Sequence, residues 1–580
     1  MRHERPSNAG EARSSALWGK GSGGQSRGSA LWGRGGRSGI ALLALALSVV
    51  IPAAGIAGPE KTRALVPSDL ISEAQAQPNK IFKVVVQGDQ KHGNSDQVAN
   101  AARTEGGNPT RVFKSLVGSS VELAGKDLLK LARHPHVEAI TRDEPLSVVG
   151  DGDWDVTDPE DAGMWKSVIS APSLWDQPAV TCAVNFLGLK LDPLCVASLG
   201  SKAPQAPAIA IFDSGIDASK TADFGSRVIA RANFSSLEPN ASGDPMGHGT
   251  MVAGIAAGNS NLYPGVARNV PLVDVRVASS SGQALTSDII AAVDWVLANK
   301  STHNIRVANF SLVGTRAASF KVDPLDRAVE KLWFNGVVVV AAAGNNGNPS
   351  NPVGIGAPAN DPFVITVGAL DISKTLDYRD DKRAPWSAYG STADGFMKPD
   401  VSAPGRWIVG PVPNGSTVHE RKTNRVVAPG YMWMSGTSFS APMAAGAAAQ
   451  ILARRPGLSP DQVKGALMVS ARHLPSEDPG AGVGELDIAA AAKVSNPPNP
   501  NENLYAFVSD GSFDAEAWAT HVRSQANWTQ ANWTAANWTA SNWVSSNWVS
   551  SNWVASNWVS SNWTASNWVA ANWTVATDEE

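Results

Sequence analysis

The chain has 580 residues, of which 43% are hydrophobic, so we expect two or more folded units together with tails. Its 48 basic and 52 acidic residues leave a formal net charge of -4. This balance gives no electrostatic reason to expect nucleic acid or another polyanion as a partner.

Residues 1–57 read as a basic, Gly/Ser-rich leader that ends in an uncharged apolar run at 40–57. The small residues Gly55 and Ala57 near the end of this run favour a cleaved signal peptide, and a retained membrane anchor is the alternative. The leader therefore predicts a secreted protein that is extracellular or associated with the cell surface. Residues 58–79 are predicted to be a linker.

A small α+β unit is predicted over residues 80–149. Its signals are a strand-like run at 81–86, a helix-like segment at 127–132 and a second strand-like run at 137–140, since the hydrophobic spacing differs between these segments.

The only two cysteines, Cys182 and Cys195, lie close together in the sequence. In an exported protein this pair predicts a local disulfide, and two free buried thiols are the alternative. No Cys-x-x-Cys motif or Cys/His cluster accompanies them, which argues against a metal or catalytic role for either cysteine.

Residues 150–494 alternate apolar runs with helical patterns, and the runs most typical of strands lie at 208–212, 270–277, 307–312, 337–342 and 364–367. Near-continuous apolar strands between helices predict an α/β fold with a mainly parallel sheet that is covered on both faces. In such folds the chemistry lies at the carboxyl ends of the strands, so the polar residues that follow each run are the candidates for a site.

Two of these candidates are an acid and a base. Asp213 directly follows the run at 208–212, where a buried carboxylate needs a donor such as an imidazole N–H. Asp217 is the weaker alternative because it lies beyond the turn. His248 stands between two glycines before a helix of small residues, an arrangement that lets other groups approach the ring.

Two further candidates are a hydroxyl and an amide. Ser438 opens an Ala/Gly-rich helix, where the helix dipole favours negative charge that develops nearby; an N-cap is the plainer reading of this serine. Asn345 follows the run at 337–342 and could donate to an oxyanion, although Asn followed by Gly is also a common turn former.

Taken in chain order, the Asp, His, Asn and Ser motifs resemble those of the subtilisin-like serine peptidase family over residues 151–494. The resemblance implies a three-layer subtilisin-like domain and a serine endopeptidase that works through an acyl-enzyme. It implies Ser438 as the nucleophile, His248 as the general base and then acid, Asp213 as the residue that orients His248, and Asn345 as an oxyanion donor. It further implies that residues 80–149 are an inhibitory prodomain, because residues 131–140 read Leu-x-x-His-Pro-x-Val-x-x-Ile as the family's prodomains do.

The resemblance also implies which residues bind the substrate. Two strands are expected to pair with a peptide that binds as an added strand; one contains Ser280, Ser281 and Gly282, and the other contains Ser311, Leu312, Val313 and Gly314. Ala342, Ala343, Gly344 and Gly356 are expected to line the primary pocket. Gly356 is expected to form the floor of this pocket, and a floor without a carboxylate predicts broad specificity with a preference for large apolar side chains before the scissile bond.

No cofactor is expected for catalysis, and the resemblance makes structural calcium plausible without naming ligands. The expected partners are protein or peptide substrates and the chain's own prodomain. Two other readings stay open: a binding or adhesion protein on an inactive scaffold of this kind, and a surface protein in which the tail is the main functional part.

The tail follows a predicted linker at 495–523 and occupies residues 524–580. An Asn-Trp motif recurs there every five residues in ten copies. A β-solenoid and a disordered adhesive segment both fit this repeat, since either would present apolar surface that favours association. The tail is predicted to serve attachment to the cell surface or self-association and to be dispensable for catalysis.

Overall fold

The computed structural model of the chain describes residues 64–148, 163–175, 206–314, 319–347 and 355–509, apart from 374, 395 and 477, and also 512–514 and 517. It further describes the backbone of three short strands at 180–182, 195–197 and 573–575. Among the helices of these residues, none has the length and apolar character that a bilayer crossing requires.

The amino-terminal unit is a sheet covered by helices. Its elements in chain order are β1 Leu65–Pro67, α1 Ser68–Ala76, β2 Ile81–Gln87, α2 Ser95–Thr104, β3 Asn108–Val112, β4 Gly118–Ala124, α3 Gly125–Leu131 and β5 Ala139–Arg142. The unit begins before the predicted boundary at residue 80, because Val66, Leu70 and Ala74 are fully buried in its core. Leu70 and Ala74 lie one helical turn apart on the same face of α1, which explains why part of the predicted linker is folded.

The strand β6, Pro145–Val148, follows this unit and leads into the larger one. The larger unit contains, in order, α4 Trp165–Val168, β7 Val180–Cys182, β8 Cys195–Ala197, β9 Ala208–Asp213, α5 Thr221–Phe224, β10 Val228–Asn233, α6 His248–Ala257, β11 Leu272–Arg276, β12 Gln283–Leu285, α7 Thr286–Asn299, β13 Ile305–Phe310, β14 Leu312–Gly314, α8 Pro324–Phe334 and β15 Val338–Ala342.

The second half of the larger unit carries the longest helix. Its elements are β16 Ile365–Asp371, β17 Lys382–Arg383, β18 Gly390–Ser391, β19 Met397–Lys398, β20 Val401–Pro404, β21 Ile408–Pro411, α9 Thr417–Arg421, β22 Val426–Ala428, β23 Tyr431–Met434, α10 Thr437–Arg454, α11 Pro460–Val469 and α12 Ile488–Lys493.

The central sheet has the order β10-β11-β9-β13-β15-β16-β17, with β20 also paired to β16. Its strands are parallel except for the β16–β17 pair. Every residue of β9, β11 and β15 is buried, which requires cover on both faces of the sheet. This confirms the predicted α/β class with a mainly parallel sheet.

The segment after α12 is folded as well, although its composition predicts a linker over 495–523. A 3-10 helix spans Glu502–Phe507, and the strands β24 Val508–Ser509 and β25 Ser512–Phe513 form a hairpin. Leu504 is buried, and the Phe513 ring packs against Phe320 and Phe363. We call residues 501–514 the C-terminal arm. The last strand, β26 Trp573–Val575, pairs antiparallel with β1, and the rest of the repeat tail lies outside the described residues.

The two cysteines lie on paired strands. β7 and β8 are antiparallel, and their register places Cys182 directly opposite Cys195. Opposed Cα atoms in an antiparallel pair lie about 4.5 to 5.5 Å apart, which suits a disulfide. The predicted Cys182–Cys195 bridge is therefore compatible with the backbone and stays a prediction.

Candidate active site

Asp213 and His248 lie together at the carboxyl edge of the sheet. Asp213 is the last residue of β9, His248 is the first residue of α6, and both are buried. His248 Nδ1 lies 2.8 Å from Asp213 Oδ1, and the Ser214 backbone N–H donates to the same oxygen at 2.7 Å. Because the carboxylate fixes Nδ1 as the donor, His248 Nε2 is left as the acceptor.

The glycines beside His248 are required by close packing. Gly247 has a φ of 95°, and a Cβ there would lie 2.4 Å from Ser416 Oγ. A Cβ on Gly249 would lie 2.3 Å from Gly215 O. A larger residue at 249 would therefore push the start of α6 away from the turn that follows Asp213, and one at 247 would clash with Ser416 in a backbone conformation that favours glycine.

Ser438 is the second residue of α10 and is fully buried. Its Oγ donates to Ser311 O at 3.0 Å, and Ser311 Oγ donates in return to Ser438 O at 2.8 Å. β9 and β13 pair in register from Ile209 to Phe212, so Ser311, the residue after β13, lies beside Asp213. The ring of Phe439 lies 5.2 Å from the His248 ring.

The hydrogen bond between Ser438 and His248 is not formed. Within the described part of the chain, His248 Nε2 is buried and has no hydrogen-bond partner. The structure thus brings the acid, the base and the hydroxyl to one edge of the sheet, while the hydroxyl hydrogen is directed to Ser311 O.

Asn345 is oriented by the residue that precedes Ser438. Its Oδ1 accepts from the Thr437 backbone N–H at 2.9 Å and from Thr437 Oγ1 at 3.0 Å. A backbone N–H can only donate, so these contacts identify the oxygen end of the amide. The Nδ2 end lies 3.0 Å from the position that a Cβ on Gly436 would take, close to the amino end of α10.

A strand of the chain itself lies between the two predicted peptide-binding segments. β6 pairs antiparallel with β12 on one side and with β14 on the other. Val148 stands opposite Leu312, and its N–H also donates to Gly282 O at 2.8 Å. Leu146 and Val148 are buried, whereas the alternate residues Pro145 and Ser147 are exposed. Residues 145–148 therefore occupy this cleft as an extended peptide would.

The first predicted peptide-binding segment directly precedes the strand that pairs with β6. That strand is Gln283–Leu285, and of Ser280, Ser281 and Gly282 the Gly282 carbonyl accepts from the Val148 N–H. Binding of a substrate by these three residues stays a prediction. Ser280 Oγ instead donates to Glu238, and Ser281 Oγ lies 2.8 Å from Ser279 Oγ. Gly282, with a φ of 82°, forms the turn into β12.

The second predicted segment contains a strand that pairs with β6. Leu312, Val313 and Gly314 form β14, and Ser311 links this strand to β13. Behind β14, the Gly314 N–H donates to Ala357 O at 2.8 Å. This bond joins the strand to the segment that contains Gly356.

The predicted pocket residues are all buried. Ala342 ends β15, and both Ala343 and Gly356 are buried. Gly344 has a φ of 109°, and a Cβ there would lie 3.7 Å from Val313 Cγ1. Residues 348–354, between Gly344 and Gly356, lie outside the described residues.

The two units are joined by partly buried polar contacts on α7. Asp143 accepts from the Ser287 backbone N–H at 2.8 Å and from Ser287 Oγ at 2.6 Å, next to the start of the helix. Arg111 Nη2 donates to Asp288 Oδ1 at 2.6 Å. Burial raises the pKa of both Asp143 and Asp288, so the docking of the amino-terminal unit withdraws these carboxylates from water.

Sequence reasoning missed Asp244, Ser214 and Thr250. These residues hydrogen-bond to one another between the Asp213 turn and α6. A signal for Asp244 was present, since it is an acidic residue four positions before His248. Among the described residues, no group of three or more His, Cys, Asp or Glu side chains is placed to hold a metal ion, so structural calcium remains a prediction without assigned ligands.

The larger unit is similar in sequence to known proteins. A family model described as the Subtilase family matches residues 205–499, about half of the 580-residue chain. Serine protease AprX of Bacillus subtilis is 37% identical over 288 residues, which are 47% of this chain and 64% of AprX. Subtilisin DY of Bacillus licheniformis is 35% identical over 287 residues, which are 49% of this chain and 90% of that protein.

A solved structure shows the same fold. It is that of fervidolysin from Fervidobacterium pennivorans, described as a keratinolytic enzyme related to subtilisin. The TM-score is 0.54 at 18% identity, and the match covers 76% of this chain and 64% of fervidolysin.

Proposed function

Because the chain belongs to the subtilase family, we propose that it is a serine endopeptidase made as a precursor that its own amino-terminal unit inhibits. The observation that carries the proposal is the buried hydrogen bond of 2.8 Å between Asp213 and His248, at the end of a cleft that holds an extended strand of the chain. A structural histidine would not need a carboxylate on Nδ1 together with an unoccupied Nε2 facing the same edge as Ser438.

The proposed reaction begins at Ser438. Its hydroxyl turns from Ser311 O to His248 Nε2 by rotation about χ1, and Oγ attacks the carbonyl carbon of the scissile peptide bond while the proton passes to Nε2. Asp213 keeps the imidazole oriented and stabilises the imidazolium that forms. The new C–O bond places negative charge on the former carbonyl oxygen, near Asn345 Nδ2 and the Ser438 backbone N–H.

The intermediate then breaks its C–N bond, and His248 gives its proton to the departing amine. A water molecule hydrolyses the resulting ester by the same two steps, with His248 again acting first as base and then as acid. The proton that Ser438 gave up leaves with the amine, and His248 passes a proton from the water molecule to Ser438, which is regenerated as the free hydroxyl.

Residues 80–149 are proposed to inhibit the precursor as a prodomain. The support is that β6 fills the cleft with peptide-like pairing on both sides, which a substrate strand would need. Maturation is proposed to cleave within the few residues after Val148, since β6 ends there next to Ser311. Amino-terminal sequencing of the mature protein tests this position.

Specificity is proposed to be broad, with a preference for large apolar side chains before the scissile bond. The support is that Ala342, Ala343, Gly344 and Gly356 are small and buried. Gly356→Val should shift the preference towards small side chains, and peptides that differ only at this position measure it. Equal cleavage after Arg and Leu by the unmodified protein would contradict the proposal.

Secretion and the role of the tail rest on sequence alone. The apolar run at 40–57 supports export, and the Asn-Trp repeat supports attachment or self-association of the mature protein. Recovery of the protein in the medium or on the cell surface, after removal of the leader, tests the first proposal.

The central test is labelling and hydrolysis with the full chain. A biotinylated fluorophosphonate should modify the matured protein at Ser438, as peptide mapping would show, and the protein should release peptides from casein. The proposal fails if the matured protein hydrolyses neither casein nor a chromogenic peptide, or if the label maps to another serine.

A further inference from the structure

A second buried carboxylate, that of Asp244, lies between the Asp213 turn and the first turn of α6. Its Oδ1 accepts from Ser214 Oγ at 2.8 Å and from the Gly247 N–H at 2.8 Å. Its Oδ2 accepts from the Thr250 N–H at 2.8 Å and from Thr250 Oγ1 at 2.7 Å. Asp244 thus binds both segments that carry the acid and the base.

The directions of the two hydroxyl hydrogens follow from their other contacts. Ser214 Oγ accepts from the Gly249 N–H at 3.0 Å, and Thr250 Oγ1 accepts from the Asp217 N–H at 3.0 Å. Each hydroxyl therefore has its own hydrogen free to donate to Asp244. Burial raises the pKa of Asp244, and the bonds from Thr250, Gly247 and Ser214 oppose that rise. Four donors around two oxygens favour the ionised carboxylate.

Ser214 connects this carboxylate to the acid of the candidate triad. Its Oγ lies 2.8 Å from Asp244 Oδ1 and 3.2 Å from Asp213 Oδ1. One hydroxyl thus separates the two carboxylates, and a shift of Asp244 would move the Asp213 turn and the start of α6 relative to each other.

We propose that Asp244 is a positioning residue that holds Asp213 and His248 in their catalytic geometry and whose negative charge stabilises the His248 imidazolium. The inference rests on the proposed peptidase function. Asp244 touches neither substrate nor reacting atoms; it acts through Ser214, Gly247 and Thr250.

Other charged groups face the same cluster. Asp274 lies on β11 next to β9, accepts from the Ile216 N–H and has its pKa raised to about 7 by burial, with the negative charge of Asp244 adding to the rise. Arg276 and Arg231 are the cations that oppose this rise. An Asp274→Asn variant with Asp244 intact therefore gives the contribution of Asp274 to the pH profile.

The test compares Asp244→Asn with the unmodified chain after maturation, with active sites counted by fluorophosphonate. An amide cannot accept all four bonds, so we expect kcat to fall about 10- to 100-fold through misplacement of the base, with KM unchanged within about 2-fold. Removing a negative charge disfavours the imidazolium. The acid limb of the kcat/KM profile should therefore move to lower pH, which a merely structural role would not produce.

Asp461 supplies the matched control. It is buried and accepts from Trp333 Nε1 at 3.0 Å, from Asn501 Nδ2 at 2.8 Å and from the Tyr505 hydroxyl. Trp333 lies near the end of α8, just before β15 begins, so this cluster is at the opposite edge of the sheet. Asp461→Asn should lower the melting temperature while kcat and the acid limb stay unchanged.

The outcomes separate the inference from the proposed function. If the unmodified matured chain shows no peptidase activity, the proposed function fails. If the unmodified chain is active and Asp244→Asn retains its kcat and acid limb, the positioning role is wrong. If Asp244→Asn does not fold, Ser214→Ala is measured instead; a fall in kcat with unchanged KM supports the role, and an unchanged kcat overturns it.

Discussion

The two halves of the candidate site are held in different ways. Asp213 and His248 are joined at 2.8 Å, and Ser214, Asp244 and Thr250 tie their segments together. Ser438 lies in α10, and its hydroxyl donates to Ser311 O at 3.0 Å through a side chain that can rotate about χ1. The fold therefore fixes the orientation of His248 before a substrate binds, whereas the hydrogen-bond partner of the Ser438 hydroxyl depends on its χ1 rotamer. Substitutions in the two halves should therefore lower kcat by different amounts.

The largest effect is expected from Ser438→Ala. Without Oγ no acyl-enzyme can form, so peptide hydrolysis should be abolished, and the precursor should stay uncleaved if its maturation is autocatalytic. Gel mobility of the precursor and release of chromophore from a peptide check both outcomes.

The control for this variant is Ser440→Ala in the same helix. Ser440 Oγ donates to Ala403 O and Pro404 O at 3.2 and 3.0 Å, away from His248. Its loss should leave turnover close to that of the unmodified chain. Processing of purified Ser438→Ala at the normal site would show that maturation does not need Ser438.

A smaller but still severe loss is expected from Asp213→Asn. The amide would favour the wrong tautomer of His248, and the corresponding change in a serine peptidase triad lowers kcat about 10,000-fold. Asp217→Asn is the control, because the Asp217 carboxylate accepts from the Ser219 N–H in its own turn, and the substitution should change kcat little. A similar loss in both variants would show that the turn, and not the carboxylate of Asp213, is what matters.

The nucleophile's half is tested by Asn345→Leu. Loss of one oxyanion donor should lower kcat about 100- to 1,000-fold while KM changes little. Thr437→Val is a finer test, because it removes the bond from Thr437 Oγ1 to Asn345 Oδ1 and keeps the bond from the Thr437 N–H. The Asn345 donor itself stays, so the loss of kcat should be smaller. A change confined to KM in Asn345→Leu would assign this residue to substrate binding instead.

The sequence indicated which polar residues lie at one edge of the sheet, because the carboxyl ends of parallel strands meet at the same edge. Asp213 ends β9, Ser311 follows β13 and Asn345 comes shortly after β15, so three apolar runs led to three candidate site residues. The fold class followed from the same runs, since strands buried on both faces leave few alternatives.

Contacts that depend on tertiary packing could not be predicted in this way. β12 starts at Gln283 because Gly282 turns the chain and Ser280 donates to Glu238, and neither contact is visible as a pattern. The Pro and Asn content around the C-terminal arm predicts a linker. In the structure, however, Leu504 is buried and the Phe513 ring packs against Phe363 of the larger unit. The position of Asp244 before His248 is a weak signal, but its bonds to Ser214 and Thr250 depend on tertiary packing.

The smallest effect on turnover is expected from removal of the repeat tail. All residues of both halves of the site precede residue 494, so deletion of residues 524–580 should leave kcat and KM nearly unchanged.

Deletion of residues 497–580 also removes the C-terminal arm, including Leu504 and the bonds of Asn501 and Tyr505 to Asp461. Burial of one leucine side chain is worth about 1.5 to 3 kcal/mol, so this longer deletion should lower the melting temperature while kcat at low temperature is retained. Thermal unfolding and peptide hydrolysis of the two deletions, each matured and counted by active-site titration, measure both effects. If the shorter deletion abolishes hydrolysis in correctly matured protein, the tail belongs to the catalytic unit; if the longer deletion leaves the melting temperature unchanged, the packing of the arm does not stabilise the fold.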